Sequence, residues 1–118
     1  MRPDIACLIR DVLLGGQVKG FYDLESWVVM PNHIHVVVFP YVDLARVVSA
    51  IKAGSARQAN RVLNRTGAFW SRDYFDRWIR DSAEERRIVR YIENNPVKAG
   101  LCREPAEWRF SSASPERA

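Results

Sequence analysis

The sequence predicts an α+β fold, an antiparallel sheet with helices packed on one of its faces. Three observations lead there. Apolar residues recur at helical spacing in three separate stretches. Two β-branched runs flank a Pro31-Asn32 pair, which marks a hairpin. The chain has 118 residues, 27% charged and 47% hydrophobic, enough to close one core and too few for two. That composition excludes a disordered or collagen-like chain. Residues 1–118 are therefore expected to form a single domain, with the tail frayed from about residue 113.

Residues 3–14 read as a first helix, with Ile5, Leu8, Ile9, Val12 and Leu13 on one face and Gly15-Gly16 expected to end it. Residues 21–30 read as a strand, strongest at Trp27, Val28, Val29 and Met30. After the Pro-Asn turn, residues 33–39 (HIHVVVF) are β-branched and aromatic, so they form a second strand, closed by Pro40. Asp43 stands where an N-cap belongs, before a helix running to about Leu63 on a Leu44, Val47, Val48 and Ile51 stripe. Residues 64–67 form a loop, and a short third strand is expected around residues 74–79. Asp81 or Ser82 caps a last helix that runs to about residue 94 or 95, with Pro96 just beyond it. Trp108, Phe110 and the Ser111-Ser112 pair mark a docked segment. This order is the ferredoxin-like β-α-β-β-α-β order without its first strand. The missing strand should leave an edge open beside the second strand, which invites β-addition or a homodimer.

Lys and Arg number 18 against 14 Asp and Glu, a net charge of +4. An acidic partner suits that balance without being demanded by it. Cys7 and Cys102 are too few for a disulfide framework or a four-cysteine zinc site, and read as free thiols in a reducing compartment. No stretch reaches the roughly 18 apolar residues that span a bilayer. Asp4, Arg10 and Asp11 interrupt the apolar opening short of a secretory core. A soluble, cytoplasmic protein with no membrane partner is expected.

The charge is unevenly spread. No acidic residue falls between Asp43 and Asp73, where Arg46, Lys52, Arg57, Arg61, Arg65 and Arg72 all lie. Arg57, Arg61 and Arg65 repeat every four residues and so form one helical ridge. Trp70, Tyr74, Phe75 and Trp78 follow, interleaved with Arg72, Arg77 and Arg80. Cations that hold phosphates beside rings that stack bases suit single-stranded or hairpin nucleic acid. The plain alternative is a solvated basic face over core aromatics.

The two histidines, His33 and His35, sit one residue apart on the second strand. Alternation puts them on one face with Val37 and Phe39, and puts Ile34, Val36 and Val38 on the face toward the helices. The histidines are thus expected on the open face of the sheet. Two imidazoles at i and i+2 can converge on one cation. No third histidine or nearby cysteine completes a zinc site, so Mg²⁺ or Mn²⁺ with oxygen ligands fits better. The alternative is a pair of polar residues on a solvated face. In the last helix, Tyr91 and Asn95 share a face one turn apart, flanked by Arg87 and Arg90. An ordinary tyrosine hydroxyl, with a pKa of about 10, attacks poorly unless positive charge stabilises the phenolate. Arginines or a cation would do that. The alternative is a half-buried tyrosine that anchors the helix, with Asn95 as its cap.

Together these segments resemble a known family. VVMPNHIHVVV, residues 28–38, looks like the histidine-hydrophobe-histidine (HUH) strand of single-tyrosine transposases, and most like that of REP-associated tyrosine transposases, relatives of insertion-sequence transposases. Trp70, Tyr74, Asp76, Arg77, Ile79, Arg80 and Asp81 match the family's W-x-x-x-Y-x-D-R-x-I-R-D segment. Residues 91–101 match its YI-x-x-NPVKAGL segment, and Trp108, Ser111 and Ser112 its W-x-x-SS tail. The four motifs stand in order over roughly residues 28–112. The resemblance implies a DNA transposase and single-strand endonuclease. It implies that His33 and His35 hold Mg²⁺ or Mn²⁺, that Asn95 completes the protein ligands, and that Tyr91 attacks the scissile phosphate of single-stranded DNA beside a palindromic hairpin. The products would be a 5′-phosphotyrosine link and a free 3′-hydroxyl, which can reverse the reaction without ATP. Arg46, Lys52, Arg57, Arg61, Arg65, Arg72, Arg77, Arg80, Arg87, Arg90 and Lys98 are the expected DNA contacts. Two other outcomes fit the same sequence: a non-catalytic nucleic-acid-binding module, and a truncated, dimerising remnant of such a transposase.

Overall fold

A computed structural model describes residues 2–31, 33–64 and 79–115. Its elements are α1 (Pro3–Val18), β1 (Tyr22–Val29), β2 (Ile34–Pro40), α2 (Leu44–Leu63), α3 (Ser82–Lys98) and a 3₁₀ turn (Pro105–Glu107). The chain is α+β as expected, and among the described residues its sheet is the two-stranded hairpin β1-β2. The strand expected around residues 74–79 lies, up to residue 78, outside the described residues. Among those described, no helix is long and apolar enough to cross a membrane. Cys7 and Cys102 are free thiols. The chain divides into two compact units. One takes in α1, the outer ends of the hairpin strands and α2. The other takes in the turn end of the hairpin, α3 and the tail.

In the first unit, Pro3 opens α1 where an N–H would have no partner anyway. The helix does not stop at Gly15-Gly16 but runs on to Val18. Gly16 is a packing position: a Cβ there would collide with the ring and hydroxyl of Tyr22, and Tyr22 Oη donates to the Leu13 carbonyl at 2.6 Å. The helix closes instead on Gly20, at φ +81°. There the N–H groups of Gly20 and Phe21 reach Gln17 O and Gly16 O, both at 3.0 Å, and satisfy the carbonyls that a helix end leaves open. α2 has the limits read from the sequence. Asp43 holds its N-cap position without a side-chain cap bond, and Asn64 ends it in the left-handed conformation, φ 54°. α1 and α2 pack on each other, and Leu13, Tyr22, Val47, Ile51 and Ala59 are buried.

In the second unit, Asp81 caps α3 by accepting the Glu84 N–H at 2.8 Å. Pro96, expected just past the helix, lies inside it. A proline this near the C-terminus forfeits only one backbone bond. Its own carbonyl accepts the Leu101 N–H at 2.9 Å, and Gly100, at φ +76°, donates to Val97 O at 3.0 Å. The glycine, not the proline, ends the helix.

Val28, Met30 and Val37 of the hairpin form one core with Ile92 of α3, and Ile79, Ile88 and Trp108 pack against it. The histidine face of β2, expected to be open, is therefore covered. The face that carries His35 and Val37 is the one α3 covers. Alternation holds, but residues 36–38 are three valines, apolar on either side, so periodicity could not say which side meets the helix.

The tail is docked as expected. Val29 donates to Phe110 O at 2.8 Å and Ser112 to Trp27 O at 2.9 Å, Ser111 bridges Val28 antiparallel, and Trp108 Nε1 donates to Val29 O at 3.0 Å. The chain's own tail thus pairs with the edge of β1 that faces away from β2. Docking extends past residue 113, where fraying was expected to begin: Ser114 is buried and its N–H donates to Ser111 O at 3.0 Å.

Candidate functional site

β2 and α3 bring the two histidines beside the tyrosine. The His33 and His35 rings lie edge to face with centroids 4.8 Å apart. The Tyr91 ring stands 6.1 Å from His35 at an interplanar angle of 72°. The packing beneath explains the placement. Ile92 is buried against Val37, so Tyr91, about 100° around the helix from it, is left on the flank and is 56% exposed. His33 is exposed and His35 half-buried. Burial pushes the His35 pKa below the ordinary histidine value, and the neighbouring His33 pushes it the same way. A neutral imidazole is the form that offers a lone pair to a metal.

The side chains fit a shared cation. Two imidazoles on one ion, at metal–nitrogen distances of about 2 Å, hold their centroids within roughly 6 Å, and the observed spacing meets that. Asn95 lies one helix turn beyond Tyr91, half-buried, and carries an amide oxygen of the kind hard cations accept. Among the described residues no group of three or more His, Cys, Asp or Glu could hold a metal. An ion at the histidines would therefore complete its shell with amide, phosphate or water oxygens.

The expected DNA contacts fall into three sets. On α3, Arg87 and Arg90 are exposed, and Lys98 Nζ lies 5.9 Å from the Tyr91 ring centroid, which puts positive charge beside the phenol. Arg80 is engaged elsewhere: its Nε and Nη2 hold the Glu84 carboxylate at 3.0 and 2.8 Å. Glu84 is buried, and a buried carboxylate needs that partner. On α2, Arg46, Arg57 and Arg61 are exposed and Lys52 half-buried. Arg65, Arg72 and Arg77 lie outside the described residues, as do Trp70, Tyr74 and Asp76 of the expected motif.

The sequence marks Ser112 only as part of a docked tail and gives Glu93 no part in the site. The Ser112 hydroxyl donates to Glu93 Oε2 at 2.6 Å, with Trp27 O farther off at 3.2 Å, and accepts the Trp27 N–H at 3.0 Å. Glu93 lies between Tyr91 and Asn95, so this one hydroxyl ties the tyrosine helix to β1. A glutamate between two site residues and a serine pair in the tail were visible signals. Nothing local says that they meet.

The family model described as transposase IS200 like matches residues 9–95. The chain is 27% identical over 108 residues to the REP-associated tyrosine transposase of Escherichia coli (strain K12), covering 89% of this chain and 62% of that protein. It is 29% identical over 96 residues to a Haemophilus influenzae protein assigned to the same REP-associated tyrosine transposases, covering 71% of this chain and 54% of the other. The chain thus spans about half to three-fifths of these relatives. A solved structure of a REP-associated tyrosine transposase bound to a REP hairpin shares the fold, with a TM-score of 0.76 at 23% identity over 89% of this chain and 62% of that one.

Proposed function

Because the chain belongs to the IS200-like transposase family, we propose that it binds single-stranded DNA beside a hairpin and breaks and rejoins it through Tyr91. The observation that carries the proposal is the Tyr91 ring beside the histidine pair, 6.1 Å from His35. The hairpin is the substrate class to take first, since a protein of the same fold was solved with one.

Tyr91 Oη attacks the scissile phosphorus and the bond from phosphorus to the 3′ oxygen breaks. The 3′ oxygen leaves and takes up a proton, and the tyrosine's proton passes to the water that reaches its half-exposed ring. The downstream strand is then held as a 5′-phosphotyrosine, with a free 3′-hydroxyl upstream. The phosphotyrosine keeps the energy of the phosphodiester, so attack by a 3′-hydroxyl reseals the strand and frees Tyr91. His33, His35 and Asn95 would hold Mg²⁺ or Mn²⁺, whose charge, when bound, polarises the phosphate and stabilises the five-coordinate transition state. Lys98, Arg87 and Arg90 add positive charge where phenolate and phosphate meet. Arg46, Arg57 and Arg61 hold DNA phosphates.

The test is a 3′-labelled hairpin oligonucleotide with an unpaired flank, incubated with the protein and Mn²⁺ and run on a denaturing gel. The wild type is expected to form a shifted covalent band that chelation removes. Tyr91→Phe is expected to lose the band and keep hairpin binding. A band that survives Tyr91→Phe contradicts the assignment, and a metal-independent binder that forms no adduct is a binding module instead.

A further inference from the structure

The outer ends of the hairpin strands carry aromatic residues that this chemistry does not use. Phe39 and Tyr41 flank Pro40, and each is 58% exposed. Single exposed apolar side chains are ordinary, but these two rings are neighbours, with centroids 5.4 Å apart and planes tilted by 56°. Tyr41 is also held in place. Tyr41 Oη donates to Asp23 Oδ2 at 2.5 Å, and the Tyr41 N–H donates to Phe21 O at 2.9 Å. Phe21 in turn carries the Arg46 guanidinium 5.3 Å from its ring centroid.

A cationic ridge starts at that arginine. Arg46 and Arg57 are eleven residues apart, close to three whole turns, so they stand on one side of α2 about 16 Å apart. Arg61 follows one turn later. All three are exposed, and Arg57 lines a groove with Asp11, Lys19 and Phe21. Exposed rings beside a line of phosphate-binding charges are the parts of a single-strand site.

We propose that Phe39 and Tyr41 form a stacking platform for an unpaired nucleobase, with the phosphates of that strand following Arg46, Arg57 and Arg61. The tilted rings receive a base on one face and its edge on the other. Because the Tyr41 ring is already fixed by Asp23, little conformational freedom is lost on binding. A second copy of the chain would also cover two exposed rings, but the adjoining arginine ridge favours a polyanion. The platform rests on the DNA binding proposed above and assigns a site to the unpaired part of the strand.

The test uses the full chain and two oligonucleotides, a hairpin with an unpaired flank and the same hairpin without it. 2-Aminopurine is placed in turn at each flank position. The wild type is expected to quench one or two adjacent positions. Phe39→Ala and Tyr41→Ala should each remove the quenching and weaken binding of the flanked hairpin by about tenfold or more, with binding of the unflanked hairpin unchanged. Phe39→Trp, which keeps a stacking face, should bind like the wild type, and Tyr41→Phe, which keeps the face but loses the bond to Asp23, should keep the quenching and bind more tightly than Tyr41→Ala. Alanine variants that bind and quench like the wild type overturn the platform while DNA binding stands. A wild type that binds neither oligonucleotide overturns both. A dimer in sedimentation that Phe39→Ala dissociates reassigns the rings to a second copy.

Discussion

Ile92 sets where Tyr91 stands. The isoleucine is buried and its neighbour is 56% exposed, which leaves the phenol both reachable by a strand and beside His35. A second tyrosine shows the opposite arrangement. Tyr22 is buried against Gly16 and donates to Leu13 O, and loss of water around its phenolate pushes its pKa up to about 12. The folded chain therefore holds this proton more tightly than the unfolded chain, whose tyrosines titrate near 10. The stabilisation is complete below pH 10 and is lost as pH rises through 12, on the order of 3 kcal/mol. Tyr22→Phe is expected to cost about 1 kcal/mol at neutral pH, from the lost hydrogen bond, and to lessen the alkaline fall. Urea unfolding at pH 8 and pH 11 measures both, and equal falls in the two proteins would contradict it. At this scale the sequence told which residues share a face but not which face is covered. His33, His35 and Val37 alternate as read, yet only packing against Ile92 shows that α3 covers their face.

The ends of elements were legible where a local motif ends them. α2 was read to its limits because a capping position, an apolar stripe and an asparagine all agree. α1 and α3 were read short because Gly15-Gly16 and Pro96 look like stops. Gly16 is there for Tyr22, and Pro96 sits one turn before Gly100, where a left-handed residue lets Leu101 reach back to the proline's carbonyl. At the other end of α3, the Asp81 cap was legible and makes its bond to the Glu84 N–H. Asp81→Ala is expected to lower stability by about 1 kcal/mol, with Asp81→Asn retaining most of it. Chemical denaturation of the two variants reads this, and an unchanged Asp81→Ala would show the cap to be idle. The tail pairing on β1 was legible only as a docked segment. That Ser112 meets Glu93 depends on the register of α3 over the hairpin, which no spacing within one element records.

For the molecule as a whole, the motifs alone carry the family likeness, because four of them stand in order. The modest net charge of +4 hid the part that matters, an acid-free interval whose described arginines, Arg46, Arg57 and Arg61, form one exposed ridge on α2. What no local pattern supplied is the meeting of the histidine strand and the tyrosine helix. It arises from one shared core, in which Ile92 of α3 joins Val28, Met30 and Val37 of the hairpin, residues far apart in sequence. The central claim is that this meeting makes Tyr91 the nucleophile. It is tested most directly by trapping the DNA adduct with Mn²⁺, digesting the protein with trypsin and the DNA with nuclease, and weighing the peptides. Trypsin cuts after Arg90 and Lys98, so residues 91–98 form one peptide with a single tyrosine. The account predicts a 5′-phosphonucleotide on that peptide, present with metal and absent without it. Cleaved DNA with the nucleotide on another peptide, or with residues 91–98 wholly unmodified, would contradict it.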